Sequence, residues 1–183
     1  MAIPTYAQIE DAIQAAVAAG TGITGSQVRW ANQSDPNAYA NTSTYATLNV
    51  ATMELGPPSW SQTVGVTNLT QTATSELHLE LDVQIFNHTA VGINCAMARM
   101  AHLANYFQLQ TTIDTLNLSY ITLQTGVIQH IPVNYQSKYL DRAVIRITVT
   151  SLISTSSTAP WISDVQGETT VTNVDGTHQH YPI

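Results

Sequence analysis

Residues 76–85 alternate polar and apolar side chains without a break: Glu76, Leu77, His78, Leu79, Glu80, Leu81, Asp82, Val83, Gln84, Ile85. A period of two predicts a strand with one buried face. Leu77, Leu79, Leu81, Val83 and Ile85 take the core side, and Glu76, His78, Glu80, Asp82 and Gln84 the other. The period then changes. From 91 to 107, Ile93, Met97, Met100, Ala104 and Phe107 recur at three- and four-residue steps, with Ala96 and Leu103 widening the stripe. That spacing predicts an amphipathic helix. A second strong alternation runs over 142–150, where Ala143, Ile145, Ile147 and Val149 face one way and Arg142, Arg146, Thr148 and Thr150 the other.

The remaining chain fills in around these elements. Thr5-Tyr6-Ala7-Gln8 has the capping-box form, and Ile9, Ala12, Ile13, Ala16 and Val17 follow as a helical stripe. Gly20 and Gly22 are expected to stop this helix, predicted over 6–19. Short strands are expected at 28–30 and 45–50. Pro57 and Pro58 interrupt the second, because proline cannot donate to a central ladder. Residues 59–74, rich in Thr and Gln, read as a strand ending in an extended loop. Residues 108–117 read as a short helix with Leu109, Ile113 and Leu116 inward. One or two short strands are expected around Gly126, a turn or loop at 134–139 and a loop at 151–159. A last extended segment is expected over 160–171. The order predicts one α+β domain over 1–173, a mainly antiparallel sheet flanked by two principal helices, with a flexible tail at 174–183.

Composition changes this picture in one respect. The 183 residues are 44 % hydrophobic, as in ordinary globular chains, but only 9 % are charged. The surface must be made largely of Thr, Ser, Asn and Gln, which suits a β-rich chain or a surface hidden in an assembly. Twelve acidic against five basic residues give a net charge of −7. Tight phosphate binding needs clustered Lys or Arg and is disfavoured. The single cysteine, Cys95, excludes an internal disulfide and a cysteine-rich metal site. Neither a secretion signal nor a membrane span is expected.

Candidate chemistry is sparse. His78, Glu80 and Asp82 have metal-ligand side chains on one strand face, yet alternate residues of a single strand point in parallel and converge poorly on an ion. Cys95, Arg99 and His102 share one side of a helix, where a thiolate could be activated, but a structural cysteine is the plainer expectation. Gly20-Thr21-Gly22-Ile23-Thr24-Gly25 follows a helix, so it reads as a turn and not as a phosphate loop. No catalytic residue, metal or cofactor is expected. Glu76, Glu80 and Asp82 could pair with Arg142 and Arg146, either within one sheet or across a subunit boundary. Trp30, Trp60 and Trp161 lie beside loops or short strands, as core edges or interface anchors.

Several fragments together carry a resemblance. They are Gly22-Ile23-Thr24-Gly25-Ser26-Gln27-Val28-Arg29-Trp30-Ala31-Asn32-Gln33, the loop Asp35-Pro36-Asn37-Ala38-Tyr39, the Gly56-Pro57-Pro58 strand end, Leu140-Asp141-Arg142-Ala143-Val144-Ile145-Arg146-Ile147-Thr148-Val149, and Ile162-Ser163-Asp164-Val165-Gln166-Gly167. Over residues 5–172 the chain resembles the neck or tail terminator proteins of tailed bacteriophages and is similar to the siphophage tail terminators. The resemblance implies a structural virion protein at the head–tail junction, assembled in the host cytoplasm. It implies a hexameric ring that caps the tail tube, meets the connector or head-completion protein, and encloses a lumen through which DNA passes without specific binding. The tail tube protein, and in some tails a sheath protein, would be neighbours. Glu76, His78, Glu80, Asp82, Arg142, Arg146, Trp30, Trp60 and Trp161 are the interface or channel candidates. The alternatives are another ring protein of the particle (a head-completion adaptor, a tube or a completion protein), a small metal-dependent hydrolase, and a carbohydrate-binding module.

Overall fold

A computed structural model describes the chain except residues 1–2, 32–43, 66–67, 89–91, 93, 118–119, 136–137, 161–167, 173–177 and 183. The contacts divide it into two compact units. One comprises Met1–Ser59 with Thr74–Ser154, the other Trp60–Ala73 with Thr155–Ile183.

The first unit is a sheet covered on one face by helices. Helix α1 (Tyr6–Thr21) begins at the predicted capping box: the Gln8 amide donates to the Thr5 hydroxyl, and the Thr5 amide to the Gln8 side chain at 2.8 Å. Gly22, at φ 65°, ends it in the left-handed conformation that glycine adopts without cost. Gly20 does not end it. It lies inside the last turn, where an added Cβ would sit 2.6 Å from Leu103 Cδ1 and 2.9 Å from Tyr106 Cδ1. Gly20 is therefore a contact point between α1 and α2 (Ala96–Tyr106).

Strands β1 (Val28–Trp30) and β2 (Thr44–Leu55) pair in parallel, so the sheet is mixed. After β3 (Ser59–Val64), β4 (Asn68–Asn87) pairs antiparallel with β2. Helix α3 (Gln110–Asn117) leads to β5 (Thr122–His130), β6 (Val133–Tyr135) and β7 (Lys138–Pro160). The strand order is β1-β2-β4-β7-β5, with β3 added beside β4 and β6 beside β7. Side-chain contacts join Asp82 to Arg146 and His78 to Thr150, so β4 numbers fall as β7 numbers rise and the two strands are antiparallel. Both predicted alternations hold. Leu77, Leu79, Leu81, Val83 and Ile85 from β4, and Ala143, Ile145, Ile147 and Val149 from β7, form the core with Ile9, Ile13, Val17, Met100 and Leu103 from the helices.

Several expectations change. Residues 134–139 are not a simple turn: Val133–Tyr135 pairs with Lys138–Leu140 as a hairpin. Strand β5 is one strand with a register shift between Thr125 and Ile128. A Cβ on Gly126 would lie 2.9 Å from the Arg146 carbonyl oxygen, so this irregularity brings backbone against backbone. Of the residues expected inward on the short helix, Leu116 is buried, with Thr112 beside it, while Leu109 and Ile113 are exposed. Val91 and Ile93 lie outside the described residues.

The second unit holds the far ends of β3, β4 and β7 and a separate antiparallel pair, β8 (Glu168–Thr172) with β9 (His178–Pro182). The stretch 59–74, read as a strand ending in an extended loop, supplies β3 and the start of β4, and the loop expected at 151–159 is strand. Between β3 and β4 the Gly65 amide donates to the Asn68 carbonyl at 2.8 Å. Strand β9 falls within the C-terminal stretch 174–183.

Candidate assembly face

The helices leave one face of the first unit's sheet open. Strand pairing decides which side chains share it. Opposite residues of an antiparallel pair project to the same side. Glu54 stands opposite His78, Asn49 opposite Asp82, and Tyr45 opposite Phe86. The open face therefore carries Glu54, Glu76, His78, Glu80 and Asp82, together with Arg142 and Arg146 from β7.

Arg146 organises its centre. Its Nε donates to Asp82 Oδ1 at 2.8 Å and its Nη2 to Asp82 Oδ2 at 3.1 Å, a two-pronged grip. Its Nη1 lies 3.6 Å from Glu80 Oε2. The hydrogen bond to Asp82 and that carboxylate's charge raise the Arg146 pKa above its ordinary value, with Glu80 adding to the effect. These pairs form within one chain and one sheet, the first of the two arrangements expected. His78 contacts the Thr150 hydroxyl at 3.3 Å and Glu76 at 3.6 Å. Arg142 lies over the Phe86 ring, 5.5 Å from its centroid, and Phe86 stacks on Tyr45 at 4.8 Å. Asp82, Gln84, Gln129, Ile131, Arg142 and Val127 line a shallow open depression at this end. Val127 is 81 % exposed, an apolar side chain among the polar Thr122, Gln124 and Gln129 of β5.

This arrangement holds charges in place but converges on no reacting atom. Among the described residues, no group of three or more His, Cys, Asp or Glu side chains could hold a metal ion. Asp82, a possible ligand on paper, is instead occupied by Arg146. The Cys95-Arg99-His102 group is structural as well. Cys95 Sγ accepts the Ala98 amide at the start of α2. Arg99 Nη1 donates to the Thr21 carbonyl at 2.8 Å, and His102 Nδ1 meets the Gly20 carbonyl at 2.5 Å. Two side chains of α2 thus reach the last carbonyls of α1.

The tryptophans separate. Trp30 packs partly buried against the core, Trp60 is 72 % exposed in the second unit, and Trp161 lies outside the described residues. Asp141 and His130 were not singled out from the sequence. Asp141 is 1 % exposed, accepts the Ala96 amide at 2.6 Å and meets His130 Nε2 at 2.7 Å. A signal existed: Asp141 occupies the inward register of Ala143, Ile145, Ile147 and Val149, where an acid needs a reason.

The first unit is thus a two-layer α+β unit with one open, charge-studded sheet face. Residues 7–177 match the family described as phage neck terminator protein, and the chain belongs to that family. It is a phage structural protein of the tail terminator and neck class. A search of curated proteins gave no match. No helix among the described residues is long and apolar enough to cross a membrane.

Proposed function

We propose that the protein forms a closed ring, a hexamer, at the head–tail junction, where it ends growth of the tail tube and joins the tube to the connector. The observation that carries this reading is the family match across 7–177, nearly the whole chain. A ring requires two unlike, complementary surfaces on each subunit. The neighbours are the tube protein on one side, the head-completion or connector protein on the other, and a sheath protein where the tail has one.

The open sheet face is assigned to the channel. Glu54, Glu76, Glu80 and Asp82 outnumber Arg142 and Arg146 on it, and Arg146 is held by carboxylates of its own chain. A wall with excess acid repels the phosphate backbone, so DNA passes without sticking. The exposed Trp60 is assigned to a contact with a neighbouring protein, whereas Trp30 serves the core.

Electron microscopy of particles carrying a tagged copy tests the reading. One ring between connector and tube is expected. Label repeated along the tail would identify a tube protein, and label bound to the head in tail-less particles would identify a head-completion adaptor. Either result would overturn the terminator role.

A further inference from the structure

The second unit's ribbon is three strands wide, in the order β3-β4-β7. Thr72 bonds Ser156 at 2.9 Å and Thr70 bonds Thr158 at 3.2 Å, so β4 and β7 remain antiparallel here. Strand β3 pairs with β4, Gly65 bonding Asn68 at one end and Ser59 bonding Thr74 at the other, so β3 and β4 are antiparallel. Strands β3 and β7 therefore run in the same direction on opposite sides of β4. Each has an outer edge without a strand partner among the described residues: β3 pairs only with β4, and β5 leaves β7 at Thr150.

Two of the usual protections, charge and proline, are missing from the pairing stretches of these edges. Exposed edges are normally blunted by Lys, inward charges, bulges or proline, because a row of free amides and carbonyls recruits another strand. Residues 59–75 and 151–160 contain no Asp, Glu, Lys, Arg or His. Proline occurs only outside the pairing stretch, at Pro57 and Pro58 before β3 and at Pro160 where β7 ends. All of β3 is exposed, as are residues 155–159 of β7, and Trp60 and Val64 are exposed apolar side chains on β3.

We propose that this ribbon is the subunit join of the ring: the β3 edge of one copy takes the β7 edge of the next. The inference rests on the ring reading and names its contact. Two observations select a second copy as the occupant. The chain carries a net charge of −7, so identical subunits repel wherever their acidic surfaces meet, and the ribbon is a long surface free of charge. The ribbon also presents two unlike edges, the two halves of a head-to-tail contact that closes on rotation. Because β3 and β7 run the same way, a copy rotated about an axis along the strands meets its neighbour in parallel pairing.

Cross-linking in assembled particles tests this. Cys95→Ser removes the native thiol, and Gln62→Cys on β3 with Ser157→Cys on β7 supplies one thiol per edge. A short bismaleimide is expected to give a ladder of multimers from the double variant, and none from either single variant. A visible ring without the ladder would overturn the join while leaving the terminator role standing. Dimers from Gln62→Cys alone would show β3 meeting β3 and overturn the head-to-tail arrangement. Particles with no ring would overturn both. In parallel, Gln62→Lys with Ser157→Lys, both at exposed positions, is expected to abolish the ring with an unchanged circular-dichroism spectrum and melting midpoint. Rings that persist in this variant would also overturn the join.

Discussion

Asp141 shows how one residue ties three elements together. It stands on β7, in the core register, and both carboxylate oxygens are engaged. Oδ2 takes the Ala96 amide at the first turn of α2, and Oδ1 takes His130 of β5. An anion at a helix N-terminus satisfies a free amide and the helix dipole together. Removing it strands the Ala96 amide in a buried position. Asp141→Ala is expected to lower unfolding free energy by about 2–3 kcal/mol, the sum expected for a lost cap and an unsatisfied buried donor. Asp141→Asn keeps one acceptor and should lose less. Urea denaturation checks both, as a shift of midpoint at constant slope.

At the scale of elements, the contact between α1 and α2 is set by what is missing at Gly20. The helices approach closely because Leu103 and Tyr106 occupy the space a side chain would need. Gly20→Val is expected to destabilise by about 1–3 kcal/mol, as overpacking of a filled interface does. Gly25→Ala is the control. Nothing lies within 4 Å of an added Cβ there, and the melting midpoint should stay close to the parent value. Arg99→Ala should cost about 1 kcal/mol, because the Thr21 carbonyl loses its charged donor at the end of α1.

Elements differed in how openly the sequence announced them, and the difference follows from what stabilises each one. The middle of β4 and of β7 could be read because burial wrote a period of two into Leu77–Ile85 and Ala143–Val149. The outer halves of the same strands could not. From 68 to 75 and 151 to 160 the strands are held by backbone pairing and by hydroxyl pairs such as Thr72 with Ser156. That leaves no apolar alternation, and a Ser/Thr run looks like a loop. The α1 capping box was legible because it is local. Asp141 with His130 and Ala96 was not, because its three parts come from separate segments. On the open face, the residue types of Glu76, Glu80, Asp82, Arg142 and Arg146 were readable. Their partners depended on the β4–β7 register, which only the folded sheet fixes.

For the whole molecule, an acidic face carried by one unit and an uncharged ribbon carried by the other make two kinds of failure distinguishable. Glu76 and Glu80 side chains are 54 % and 42 % exposed, and Asp82 rather than Glu80 makes the close contacts to Arg146. Glu76→Lys with Glu80→Lys should leave the fold and its melting midpoint close to the parent, since exposed charge pairs contribute little to stability. It should also leave ring formation and tail length unchanged, because the ribbon is untouched. Under the proposed channel reading, what changes is the sign of the wall. Two acids become two bases, and each base placed against DNA gains a phosphate contact that releases counterions. DNA release from the variant particles should slow, with the delay shrinking as salt is raised through a Debye length of about 8 Å near physiological ionic strength. Time-resolved dye accessibility of released DNA, at several salt concentrations, measures this. Loss of the ring in this variant would instead place the acidic face at a subunit contact, and release at the parent rate in all salts would remove it from the path of the DNA.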